Sequence, residues 1–366
     1  MSALLAAAPS TGELRTQIRN TIASDLPPLV DGIDHGTHYP AEFLRKIGSL
    51  GAFSTHVGEG KDVDLNPAIN IMSDVAGVCG ATGFMAWCQD TLVWYLLNTE
   101  NETLKANMLG RAADARLLGG TGLSNPMKSF FGIEKLRLKA HRVEGGYMVS
   151  GSLPWVSNLG PDHVFGTICD CDGEKVMFIA DCSNPQIELM PCEPFLAMDG
   201  TGTFGIKFNH AFVSDDLVLS HQAMTFVKTI RAGFVLLQAG MAIGIMRDCI
   251  DIMMRTKTSL GHVNKFLVTQ QPEDFAAELE RLAGIVQQAA RMPYETSDDF
   301  WRTVVRTRLE AGEACMAAAH AAMLHTGARG YLKSHRAQRR MREAYFVGIV
   351  TPATKQLRKM LAEMAA

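Results

Sequence analysis

The sequence has little charge of either sign to spare. Across 366 residues, 35 lysines and arginines face 38 aspartates and glutamates, leaving −3 at neutral pH. So even a balance gives no general field for a nucleic acid or an anionic membrane, and neither is expected as a partner. A long hydrophobic run is also missing. The longest, 232–246, is interrupted by Gln238 and falls short of the roughly 20 residues a membrane span needs, so a buried helix is expected there. Residues 1–10 lack a basic flank and are too short for a secretion signal. The eight cysteines sit at scattered spacings. Cys169 and Cys171, one residue apart on a strand, make a poor metal pair. Reduced thiols and a cytoplasmic location are expected.

Motifs are missing too. None of the 11 histidines stands in an H-E-x-x-H or similar ligand spacing; His35 and His38 fall in a loop-like segment. No metal site is expected. There is no G-x-S-x-G elbow, no G-x-x-x-x-G-K-[ST] loop and no dinucleotide fingerprint between a strand and a helix. Hydrolase, P-loop and nicotinamide chemistries are therefore unsupported. No internal repeat or low-complexity linker appears.

What is present is a change of period, twice. Helical spacing is expected over 11–24, from Tyr39-Pro40 to Gly51, over 66–80, 81–97 and 100–109, with Pro27-Pro28 ending the first helix. From about residue 116 to 220 the period becomes 2. Strands are expected at 117–123, 134–142, 147–152, 163–170, 175–181, 187–190, 203–208 and 211–213, as in an antiparallel barrel or sandwich. Helices return at 225–255, 274–291, 297–324, 331–350 and 354–363. The reading is an α+β protein with domains at 1–115, 116–222 and 223–366.

The stretch from Leu117 to Cys171 organises the chain. Gly119-Gly120-Thr121-Gly122-Leu123-Ser124-Asn125-Pro126 is small and polar enough for backbone to approach a flat or phosphorylated ligand. Trp155 ends a strand beside Ser157 and Asn158; it offers either a stacking surface or core packing. Gln89 and Asp90 interrupt an apolar helix near Trp87 and Trp94, facing either a ligand cleft or solvent. Arg329, Lys333, Arg336 and Arg340 share a face if one helix carries them; that face suits phosphates or plain solvation. Gly327 and Gly330, just upstream, free the backbone for a phosphate contact.

Taken together, these residues resemble the acyl-CoA dehydrogenase family of flavoproteins. Leu123-Ser124-Asn125-Pro126 is similar to the family's x-T-E-P flavin segment, and Gly151 to Asn158 to its G-S-K-x-W-I-T-N strand. Gly327-Ala328-Arg329-Gly330-Tyr331 with Arg340-Met341-Arg342-Glu343-Ala344 is similar to its G-G-x-G-Y…R-x-x-R-D-A stretch. Tyr39 to Gly51 matches its early helix. The resemblance implies a helical N-domain, a middle β-domain and a C-terminal four-helix bundle, with FAD between the last two. It implies that Leu123 and Ser124 meet the flavin ring through backbone or hydroxyl, that Trp155 and Ser157 lie at its other side, and that Gly327 and Gly330 reach the FAD of a neighbouring subunit in a homodimer or homotetramer.

The family's chemistry removes a proton α to a thioester with a carboxylate and passes a hydride from the β carbon to flavin N5. Here the slot of the usual base reads Thr351, and the slot of the alternative base falls near Gly233. Met127-Lys128-Ser129-Phe130-Phe131 replaces the family's G-S-D, and its R-x-x-F-G reads Lys257-Thr258-Ser259-Leu260-Gly261. No catalytic residue is assigned; Gln89-Asp90 is the sole base candidate. The resemblance implies an FAD-dependent oxidoreductase acting on an acyl thioester, such as an acyl-CoA, or a related small substrate. A second reading is a two-component flavin monooxygenase of the same fold. A third is a non-catalytic flavin-binding paralogue. The electron partner is accordingly an electron-transfer flavoprotein or a flavin reductase.

Overall fold

The computed structural model describes residues 11–58 and 62–365. Six helices come first: α1 (Thr11–Asp25), α2 (Val30–Asp34), α3 (Ala41–Ser49), α4 (Asn66–Val78), α5 (Gly80–Asn98) and α6 (Glu102–Ala113). The five-residue α2 is too short to show a period, and sequence spacing misses it. Asn101 caps α6 by accepting from Leu104 N at 3.1 Å, which satisfies one of the free N–H groups of its first turn. Every residue of α5 from Gly80 to Leu96 is buried. A helix apolar on all sides belongs at the centre of a molecule.

The strands are β1 (Gly119–Thr121), β2 (Lys139–Val143), β3 (Gly146–Val156), β4 (Val164–Cys171), β5 (Glu174–Asp181), β6 (Ile187–Pro191), β7 (Phe204–Ser214) and β8 (Val218–Ser220), with α7 (Ser124–Phe130) between β1 and β2. They form one sheet in the order β6-β7-β3-β2-β4-β5-β8, and β1 lies beside β4. The sheet is mixed rather than wholly antiparallel: β4 runs parallel to both β1 and β2. The long excursion through α7 and the β2–β3 hairpin returns the chain for β4 in the direction of β1, as a parallel pairing requires. The two segments expected at 203–208 and 211–213 join into β7, which pairs with β3 across two register shifts. Leu138, Val149, Phe165, Phe178, Ile206 and Phe208 fill the core of this layer.

The remaining helices are α8 (Ala223–Leu237), α9 (Ala239–Asn264), α10 (Pro272–Ala289), α11 (Asp298–Thr326), α12 (Arg336–Ile349) and α13 (Thr354–Glu363). The segment expected as one helix from 225 is two, divided at Gln238. The stretch Ala223–Asn264 is long and apolar enough to cross a membrane by composition, yet most of it is buried inside the protein. In this fold α9 packs against α4, α10, α11 and α12. Gly244 makes the α4–α9 contact close, for a Cβ there would stand 2.4 Å from Ser73 O.

A buried charge knot ties α12 to these helices. Arg340 is fully buried. Its Nε donates to Asp248 at 2.6 Å and its Nη1 to Glu343 at 2.6 Å; Nη1 and Nη2 also reach Ala76 O and Gly77 O. Glu343 also accepts from Arg339 at 2.9 Å and from Gly80 N, the first residue of α5, at 3.0 Å. Burial alone would raise the Glu343 carboxyl, but the two guanidiniums and the Gly80 N–H hold it below its ordinary value.

Candidate active site

A cavity of about 380 Å³ opens between the sheet and the helices. Phe84, Trp87 and Cys88 from α5 line one wall, with Phe234 of α8 and Phe346 and Ile349 of α12. These aromatics hold one another in place. The Phe84 ring meets Phe346 edge-on at 4.6 Å, and Trp87 meets Phe234 edge-on at 5.1 Å. The indole N–H of Trp87 also donates to Phe234 O at 3.3 Å. Such T-shaped pairs add to area burial and fix ring orientation.

The facing wall is polar and rich in hydroxyls. Thr121, Ser124, Ser157, Thr201, Thr203 and Thr351 all reach it. Thr121 shares a hydrogen bond with the Tyr95 hydroxyl at 2.7 Å, Ser157 with Thr203 at 2.7 Å, and Thr203 with Thr201 at 2.7 Å. Ser124 and Thr351 share one at 3.0 Å, bridging α7 to the segment after α12. Trp155 stands at the lip, 53% exposed, so it is available for stacking rather than committed to core.

Thr351 is braced from behind. Its carbonyl accepts from Gln238 Nε2 at 2.8 Å, and Gln238 Oε1 accepts from Arg308 Nε at 2.7 Å. Arg308 Nη2 donates to Val347 O at 2.6 Å. Arg308 is buried, and among the described residues no carboxylate pairs with it. Burial lowers its guanidinium to about 10, which leaves it a cation at neutral pH. The break between α8 and α9 at Gln238 therefore serves the cavity wall.

Among the described residues, no aspartate, glutamate or histidine lines the cavity. Thr351, at the position the resemblance gives to the usual base, lines it instead. At the alternative slot, a Cβ on Gly233 would lie 2.6 Å from the Trp94 indole. That indole is fixed by donation from its N–H to Ile230 O at 3.0 Å and by stacking on Tyr294. The helix has no space there for a longer side chain.

Ser124, Trp155 and Ser157, expected at the flavin ring, come together in the cavity. Leu123 does not line it; its side chain is buried at the foot of α7, in the core. Gly327 and Gly330 lie outside it. Gly327 ends α11 with φ +64°, and Gly330 is packed against Thr326. The base candidate Gln89-Asp90 requires correction. Both side chains are buried away from the cavity, because α5 is enclosed on every side. Gln89 stitches α5 to the sheet: its amide donates to Ala112 O and Leu117 O at 2.8 and 2.9 Å and its oxygen accepts from Gly119 N at 3.0 Å. Asp90 Oδ1 lies 3.7 Å from His56 Nδ1. Burial pushes the Asp90 carboxyl well up and the His56 imidazole down to about 4, so both favour their neutral forms.

The glycines before Ser124 allow close packing. A Cβ on Gly119 would stand 1.9 Å from Val164 O, and one on Gly120 2.7 Å from Ser157 O. The basic face is also redistributed. The helix begins at Arg336, so Arg329 and Lys333 precede it. Arg336 pairs with Asp248 and Asp251, and Arg340 is locked in the charge knot. Arg342, which sequence spacing left aside, lines the cavity. So do Lys128 and the aromatics of α5 and α8, which carry no motif of their own. The eight cysteines are free, and the described residues contain no cluster suited to a metal.

An aromatic slab facing a wall of hydroxyls, with an indole at the lip, suits a flat heteroaromatic ring bearing hydrogen-bonding edges. The residues fit an isoalloxazine: Trp155, Thr121, Ser124 and Ser157 would hold it, and the aromatic wall would face its substrate.

Residues 9–116 match the family model "Acyl-CoA dehydrogenase, N-terminal domain", and residues 220–365 match "Acyl-CoA dehydrogenase, C-terminal domain". The chain is 22% identical over 367 residues to the short-chain specific acyl-CoA dehydrogenase of Bos taurus mitochondria, covering 95% of this chain and 88% of that protein. Its fold superposes on butyryl-CoA dehydrogenase from Megasphaera elsdenii with a TM-score of 0.87 at 17% identity, covering 100% of both chains. It superposes on the FAD complex of PigA with a TM-score of 0.84 at 12% identity, covering 100% of this chain and 99% of that one. With models of both its helical regions matched and the fold shared from end to end, the chain belongs to the acyl-CoA dehydrogenase family, whose cofactor is FAD.

Proposed function

We propose that this FAD-dependent oxidoreductase oxidises an acyl thioester or a related small substrate in the cavity between the sheet and helices α5, α8 and α12. The observation that carries the reading is the pairing of an aromatic slab with a hydroxyl wall around a volume of about 380 Å³. When bound, FAD supplies a hydride acceptor at N5. Trp155, Ser157, Thr121 and Ser124 orient its ring. Phe84, Trp87, Phe234 and Phe346 exclude water from the reacting carbon and press an apolar substrate chain against that ring.

A specific observation favours a second reading. A dehydrogenation that starts by removing an α proton needs a base, and among the described residues the cavity presents no carboxylate or imidazole. Threonine hydroxyls such as Thr351 ionise far above neutral pH and do not serve unaided. A two-component monooxygenase, fed with reduced flavin by a partner reductase and using O2, needs no such carboxylate. In the first reading the electron acceptor is an electron-transfer flavoprotein.

The readings part in one experiment: anaerobic addition of an acyl-CoA chain-length series to the FAD-loaded protein. Bleaching of the oxidised flavin band supports dehydrogenation. Without bleaching, substrate-dependent incorporation of oxygen from O2, with a reductase supplied, supports the monooxygenase. Failure of both would leave the non-catalytic paralogue. The same reading includes a homodimer or homotetramer in which Gly327 and Gly330 meet a neighbouring copy. Tyr331, 84% exposed beside them, supports that; light scattering on the eluted protein tests it.

A further inference from the structure

Two cations line the cavity, and they differ. Arg342 is already engaged. Its Nη1 donates to Asp34 at 2.8 Å and to Leu196 O at 3.1 Å, its Nη2 also grips Asp34, and its Nε donates to Gln338 at 2.8 Å. Lys128 is not. It lies on α7 one turn beyond Ser124, so the two side chains share a face, and both line the cavity. Among the described residues its Nζ donates no hydrogen bond. The carboxylate within 4 Å is Glu134, whose Oε1 is 3.9 Å away and already accepts from Asn125 Nδ2 at 2.9 Å. The other oxygen of Glu134 lies 3.7 Å from Arg137.

A second cation acts on the same end from behind. Arg308, with no carboxylate partner, backs Thr351 through Gln238, and Thr351 bonds Ser124. The cavity wall that holds Ser124, Lys128 and Thr351 thus carries one cation whose nearby carboxylate, Glu134, is shared with Arg137 and Asn125, and has a second cation behind it. In an apolar enclosure such a field acts far more strongly than in water. An acyl chain makes no use of it; an anionic oxygen does.

We infer that Lys128 binds an anionic oxygen of a molecule held in this cavity, either a phosphate of FAD or a carboxylate of the substrate, with the Ser124 and Thr351 hydroxyls beside it. This rests on reading the cavity as the site of cofactor and substrate. Two arms separate the sources. The first measures FAD affinity by fluorescence quenching across a salt series in wild type, Lys128→Met and Lys128→Arg. The second follows the spectrum of the FAD-loaded proteins on titration with small carboxylates and their matching amides.

Loss of a charge-assisted contact weakens binding roughly 10- to 100-fold. A drop of that size in FAD affinity for Lys128→Met, partly rescued in Lys128→Arg, assigns the phosphate. Unchanged FAD affinity with loss of carboxylate binding and not of amide binding assigns the substrate. The inference is overturned if Lys128→Met alters neither arm while its thermal midpoint stays at the wild-type value. It is likewise overturned if that variant loses FAD only in step with its fold. A wild-type protein that takes up no FAD would instead overturn the reading of the cavity itself.

Discussion

Replacement of Gly233 by alanine tests whether packing against Trp94 closes that position to a side chain. The added Cβ would stand 2.6 Å from Trp94 Cε2 and 2.8 Å from its Nε1. The indole cannot retreat freely, since its N–H is bound to Ile230 O and its face lies on Tyr294. Overpacking of this kind costs about 1–3 kcal/mol. Exchange of glycine for alanine within a helix returns about 0.5–1 kcal/mol. The net is a loss of about 0–2.5 kcal/mol, centred near 1, visible as a lower urea midpoint with an unchanged slope. Gly233→Glu adds a carboxylate with no partner in the same space, and little folded protein is expected. If Gly233→Ala exceeds wild-type stability, Trp94 has room, and exclusion of the alternative base by packing is wrong. A folded Gly233→Glu that bleaches with acyl-CoA would refute it from the side of activity.

Three further outcomes are expected. Glu343→Gln leaves buried Arg339 without its carboxylate and Arg340 with Asp248 alone, and should cost about 3–5 kcal/mol in a urea titration. Because the folded-state carboxyl is held below its ordinary value, the wild-type advantage is present above about pH 4.5 and fades as pH falls through the folded value. Asp90→Asn should stabilise the protein at a pH above the ordinary carboxyl range, since burial makes the folded state hold on to a proton that the unfolded chain releases; the gain should vanish below about pH 4. Destabilisation instead would show an ionised Asp90 paired with a protonated His56. Finally, Ser124→Ala and Thr351→Val should each weaken FAD or ligand binding by about 0.5–1.5 kcal/mol, with effects that do not add in the double variant. Additive losses would mean that the 3.0 Å bond between them couples nothing.

Much of the architecture was legible because long periods average out local noise. The switch from helix to strand near residue 116 and back near 220 locates the sheet, although not its parallel pairs, which depend on where a long excursion returns. The short α2 and α7 escaped for lack of length. In the site, Ser124, Trp155 and Ser157 were legible through a resemblance of motifs. Gln89-Asp90 misled because a polar pair in an apolar helix has two explanations, and only the surroundings choose between them. Here Gln89 satisfies backbone groups of β1 and its approach, which no spacing announces. The basic run misled for a related reason. Its helix starts at Arg336, seven residues after Arg329, so the assumed common face never forms. Lys128 and Arg308 gained meaning only from what is missing near them.

The enclosure of α5 bears on how this protein could change its substrate over evolutionary time. One helix starts on the charge knot at Gly80, supplies Phe84, Trp87 and Cys88 to the cavity, and is pinned to the sheet by Gln89. A substitution there disturbs three layers together, so α5 should tolerate little drift. The exposed rim is different: Leu196 is 76% exposed and Ile349 67%, and both border the cavity. New specificities would arise most cheaply on that rim, and a saturation library confined to 195, 196, 345 and 349 should retain folded protein far more often than one built on 84, 87 and 88.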